Sequence, residues 1–170
     1  MLNAAIMVIF PLCLIYAAAS DLLTMTIPNR ISVVLIAAFL VIAPLGGVGL
    51  HEFGLHVLAA GIVFAACFAL FAVNVMGGGD AKLLTAAALW YGYNASLVEF
   101  LASTALMGGL LTVVILILRW QSTLLLTARI PLPQTLLHAK KVPYGIAIAA
   151  GGLLTFEASP LMLRLLSGAA

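Results

Sequence analysis

Charged side chains are so sparse in this chain that they act as punctuation, dividing it into apolar runs at 2–20, 31–50, 53–76, 83–98, 100–118 and 142–163. Only the last run carries a formal charge, Glu157. A helix needs about 20 apolar residues to cross the hydrocarbon core of a bilayer. The runs therefore predict an all-α, polytopic integral membrane protein with about six transmembrane helices, and residues 1–170 read as a single membrane-embedded domain. Only 7% of the residues are charged, against about a quarter in soluble domains. That shortage excludes an ordinary soluble fold.

The fourth run is short and contains Gly92 and Asn94, which predicts that its helix stops near Tyr93. Trp90, Tyr91 and Tyr93 fall at that end, where aromatic side chains are expected to anchor at the membrane interface. Glu157 is expected to mark the interface at the end of the last run. The small residues at 17–19 resemble a signal-peptidase site, but the run before them lacks a basic start, so it is expected to remain as the first membrane helix. Small pairs such as Gly108-Gly109 and Gly151-Gly152 suit close helix packing.

The basic residues orient the chain. Arg30, Lys82, Arg119, Arg129, Lys140 and Lys141 fall after the first, third and fifth helices, and only Arg164 lies in the C-terminal segment. By the positive-inside rule the odd loops face the cytoplasm and both termini face outward. Lys140, Lys141 and His138 also suit contact with anionic lipid. A net charge of +2 is too small to suggest nucleic-acid binding.

Two acidic residues then stand out, both on the predicted cytoplasmic side: Asp21, followed by Ile27-Pro28-Asn29, and Asp80, at the end of Gly77-Gly78-Gly79-Asp80 and followed by Lys82. A carboxylate at a bilayer edge is costly unless it has a function or a partner. Two carboxylates sharing a site can divide acid and base roles, one taking a proton from a trapped water while the other polarises the scissile carbonyl and aids the departing amine. This chemistry requires no metal and no cofactor. The helix ends assign the roles: Asp80, at a helix start, is the expected base, and Asp21, at a helix end, the acid. The glycines let the backbone approach a peptide closely. Plainer readings compete: the glycines only form a turn, Asp80 only caps the fourth helix, Asn29 caps the second, and Asp21 only marks a boundary.

Other polar residues suggest less. His51, Glu52 and His56 are expected to be solvated at the outer interface rather than to bind metal. Cys13 and Cys67 lack the spacing of a metal or redox pair and read as packing residues.

Three strings, Asp21 with Ile27-Pro28-Asn29, Gly77-Gly78-Gly79-Asp80 with Lys82, and Lys141 with Pro143-Tyr144-Gly145, resemble the type IV prepilin peptidases, a branch of the GxGD intramembrane aspartyl proteases. The resemblance implies that Asp21 and Asp80 are the catalytic pair. It also implies that the substrate is a prepilin, cut just before its hydrophobic helix to remove a short basic leader. Lys82 is then expected to support the site electrostatically, and Pro143-Tyr144-Gly145 to shape the start of the sixth helix. Longer members carry a cytoplasmic insertion with paired CxxC motifs and also methylate the new N-terminus. This chain resembles the short, tight-adherence (Flp) pilus type, which implies no methyltransferase activity and no S-adenosylmethionine. The competing classes are a small proton- or cation-coupled transporter, in which the aspartates would carry ions, and a non-enzymatic assembly factor.

Overall fold

The computed structural model describes residues 2–120 and 142–166, so the expectations for Lys141 and the rest of 121–141 lie outside the described residues. The described residues are helical and contain no strand. The helices are α1 (Leu2–Thr24), α2 (Asn29–Leu45), α3 (Leu50–Ala72), α4 (Gly78–Tyr91), α5 (Ala95–Trp120), α6 (Tyr144–Thr155) and α7 (Pro160–Leu166), with a 3-10 turn at Phe156–Ala158 between the last two. Four stretches are long and apolar enough to cross a membrane: Ala5–Thr24, Leu50–Ala72, Ala95–Trp120 and Tyr144–Arg164. The helix α2 is shorter. At 14 residues, α4 is only about 21 Å long, less than the thickness of the bilayer core.

Glycines bound α4 at both ends, Gly77 at its N-cap and Gly92 at its C-cap. The helix packs against α2, α3, α5, α6 and α7, and is therefore the central helix. Ala81, Leu83, Leu84 and the whole stretch 86–91 are buried, as expected of a helix that is apolar on every side. By contrast α5 packs mainly on α6 and leaves Leu106, Leu110, Val113 and Leu116 exposed to the surroundings.

The boundaries differ from the apolar runs where local chemistry overrides hydropathy. The fourth helix stops near Tyr93 as expected, so the break falls at 92–94, and Glu99, which bounded the apolar runs, lies in the second turn of α5. Gly92 leaves α4 with φ +71 and would place a Cβ 3.0 Å from the His56 ring, so both its dihedral and its surroundings require glycine. Asn94 then starts α5, its Oδ1 accepting the Ser96 N–H at 2.8 Å. At the other end of the chain, α1 continues to Thr24, so Asp21 lies in its last turn and not beyond it.

The expected aromatic anchor is instead a core. Trp90 and Tyr91 are fully buried, and of the three aromatic residues only Tyr93 is exposed. Phe10 lies 5.1 Å from Trp90 and 4.7 Å from Phe156, ring to ring, while Tyr91 stacks on Phe100 at 4.5 Å. Their polar atoms are satisfied inside the bundle: Trp90 Nε1 donates to Leu35 O at 3.2 Å and the Tyr91 hydroxyl to Gly152 O at 2.8 Å.

The His51, Glu52 and His56 cluster is likewise corrected. His56 is buried, and its Nδ1–H donates to Leu89 O at 2.7 Å. Leu89 is in the last turn of α4, where carbonyls lack a partner within their own helix. Glu52 pairs with Arg164 of α7, fastening the C-terminal segment to the start of α3. His51 stays exposed.

The glycine pairs pack as expected in three of four cases. Gly108 lies under the Tyr144 hydroxyl, Gly151 under Thr104 and Gly152 under Leu14, each too close for a Cβ, whereas Gly109 faces open space. Cys67 is buried and Cys13 half-buried.

Candidate active site

Three helix ends and one turn meet at the end of the bundle opposite the aromatic core. These are the last turn of α1, the connection 25–28, the first turn of α4 and the first turn of α6. They form a cavity of about 500 Å³ lined by Asp21, Ile27, Asn29, Gly77, Gly78, Gly79 and Asp80, and by three residues that had not been singled out, Met25, Thr26 and Val142. The two carboxylates, far apart in sequence, therefore face one space.

Asp21 is buried, with only 5% of its surface accessible. Its Oδ2 accepts the Gly145 N–H at 2.7 Å. Gly145 is the second residue of α6, and such an N–H has no partner within its own helix. A Cβ on Gly145 would stand 2.9 Å from Asp21 Oδ2 and 2.9 Å from Ile27 Cδ1, so glycine is what lets α6 approach this carboxylate. Asp80 is the third residue of α4, and Gly77, not Asp80, is at the N-cap position. The Asp80 carboxylate folds back over Gly77, where an added Cβ would lie 2.7 Å from Oδ2. Asp80 thus sits at the N-terminus of its own helix, while Asp21, in the last turn of α1, also faces the N-terminus of α6. The N-terminus of α6 beside Asp21 offsets part of the contrast of helix ends on which the expected acid and base roles rest.

The remaining glycines make different approaches. A Cβ added to Gly78 would lie 3.3 Å from the Phe71 ring, and one on Gly79 would lie 3.2 Å from Ile27 Cβ. Ile27 is thus clamped between the first turns of α4 and α6, holding the α1–α2 connection against both carboxylate-bearing elements. Before it, Met25 is left-handed at φ 53, its N–H bonded to Asp21 O at 2.9 Å. This ends α1 in a conformation usually taken by glycine or asparagine. Ser20 and Thr24 brace the turn with hydrogen bonds to Thr26 O at 2.8 and 3.3 Å.

Asn29 does not cap α2, because Pro28 occupies that position; its Oδ1 accepts a hydrogen bond from Lys82 Nζ at 3.0 Å. Lys82 therefore acts at the cavity edge by fixing Asn29 and joining α2 to α4. Pro143 is the N-cap residue of α6, and Tyr144 lines a neighbouring cavity instead of this one. No group of three or more His, Cys, Asp or Glu residues placed to hold a metal ion occurs among the described residues. Pro28 and Pro143 flag the turns in sequence and Ile27 belongs to the first string, but nothing local marks the packing of Ile27 against α4 and α6, which are distant in the chain.

Two acids lining one cavity, one of them held by a backbone N–H, can hold a water and a carbonyl group between them. The sequence matches the type IV leader peptidase family over residues 8–113, a stretch that includes both aspartates. Comparison with curated proteins gave no match, and neither did comparison with solved structures. Since the family match spans more than half of its length, this chain belongs to the type IV leader peptidase family.

Proposed function

We propose that this membrane peptidase is of the aspartic type, with Asp21 and Asp80 as its catalytic pair. On this reading it removes the basic leader of a prepilin of the Flp-like type at the cytoplasmic face of the inner membrane. The observation that supports it best is that both carboxylates line one cavity. One carboxylate takes a proton from the trapped water, whose oxygen adds to the scissile carbonyl carbon. The protonated partner donates to the carbonyl oxygen. Collapse of the tetrahedral intermediate then breaks the C–N bond, and the nitrogen leaves with a proton returned by the pair.

The orientation is supported by charge. Among the described residues, Arg30, Lys82 and Arg119 lie at the carboxylate end and Arg164 at the opposite one. That pattern favours a cytoplasmic active site with both termini outside. The reading includes no methyltransferase step: the α1–α2 connection is only residues 25–28, and both cysteines lie inside helices. A transporter is disfavoured because Trp90 and Tyr91, fully buried, fill the bundle at the end away from the cavity.

The test is cleavage of purified prepilins in liposomes, with the cut mapped by mass spectrometry. Asp21→Asn and Asp80→Asn should each insert and fold but lose at least about 100-fold in rate. Normal processing by either variant would remove the proposed mechanism.

A further inference from the structure

An endopeptidase must hold its substrate on both sides of the bond it cuts, and the cavity containing Asp21 accounts for one side. A second cavity, of about 430 Å³, adjoins it. Asp80, Gly77 and Val142 line both, so the two spaces meet around one of the proposed catalytic carboxylates. Beyond this shared wall the second cavity is bounded by Leu70 of α3, Asn74, Val75 and Met76 of the α3–α4 connection, Thr112 of α5 and Tyr144 of α6.

The lining is mainly apolar, with Asn74 contributing its one amide side chain. Asp80 apart, no charged residue lines it. Thr112 Oγ1 donates to Gly108 O at 2.7 Å, which uses its only proton, and the Tyr144 hydroxyl is pressed on the Gly108 backbone. The position of the cavity is equally specific. The helix α3 packs mainly on α4, and α5 mainly on α6, without extensive packing between α3 and α5. The cavity therefore faces the gap between two helices whose outer surfaces, including Phe64, Phe68, Leu110 and Val113, are exposed where lipid surrounds the protein.

We infer that this second cavity binds the apolar residue that follows the scissile bond, while the substrate's membrane helix lies in the gap between α3 and α5. A charged leader must stay on the aqueous side, whereas the segment after the cut is apolar and arrives through the bilayer. The second cavity joins a mainly apolar lining to a bilayer-facing gap and to Asp80. The inference rests on the proposed peptidase role of Asp21 and Asp80.

The experiment uses liposome-embedded enzyme and a substrate series with Ala, Leu or Phe immediately after the cut. It compares wild type with Thr112→Trp and Val75→Trp, which fill the cavity from different walls. In wild type, kcat/KM should rise about tenfold or more from Ala to Phe. Each variant should lose about tenfold or more on the Phe substrate, mainly through KM, yet cut the Ala substrate within about threefold of wild type. Equal losses across the series in both variants, or an unchanged preference in either, overturn the subsite. Failure of the wild type to cut any member overturns the peptidase reading itself, and the subsite with it.

Discussion

At its C-terminal end α4 finishes in Leu89, Trp90 and Tyr91, packed among Phe10, Phe39, Phe100 and His56, while about 21 Å away the same helix begins in glycines around an open cavity. At the aromatic end Trp90 Nε1, the Tyr91 hydroxyl and His56 Nδ1 each have a partner within the protein. At the glycine end, close approaches of Gly79 and Gly145 to Ile27 hold the elements together while leaving room beside the carboxylates. The difference teaches a division of labour. A short helix gripped firmly at one end can keep its other end hollow, since the packing lost around a cavity is offset elsewhere along the same helix.

That division is open to direct attack. The largest stability effect is expected from Trp90→Ala, which should cost about 3–5 kcal/mol in detergent unfolding experiments, while the fraction that stays folded cuts at a near-normal rate. Gly145→Ala should behave in the opposite way. Its Cβ meets Asp21 and Ile27 at 2.9 Å, so overpacking should cost about 1–3 kcal/mol, but single-turnover cleavage should fall by more than about tenfold because the Asp21 carboxylate is displaced. Equal ratios of rate loss to stability loss in these two variants would erase the distinction between the ends. The smallest effect is expected from Tyr91→Phe, which removes the hydroxyl bonded to Gly152 O and Thr155 Oγ1. It should lower stability by about 1 kcal/mol and leave kcat unchanged, as measured by thermal unfolding alongside cleavage.

Much of the candidate site was legible because it is marked by residues whose chemistry is conspicuous in an apolar chain. Asp21 and Asp80 are visible as charges beside membrane runs, and the alternation of helix direction puts both at one end without any knowledge of packing. The aromatic end was misread for a physical reason. Tryptophan and tyrosine join an apolar body to a polar tip, and that tip is satisfied equally well by interfacial water or by a buried carbonyl such as Leu35 O or Gly152 O. His56 is similar: a histidine near a helix start reads as solvated until the end of another helix supplies a carbonyl.

Composition and the spacing of charges were sufficient to determine an all-helical membrane protein with two acids on the same side, because burying charge in lipid is costly enough to override every other preference. Only the tertiary structure decided which helix lies at the centre, that Gly145 of α6 donates to Asp21, and that Ile27 is held between Gly79 and Gly145. Those outcomes depend on contacts between segments far apart in the chain, and close packing at such contacts is set by shape in three dimensions, which no local pattern of residues encodes.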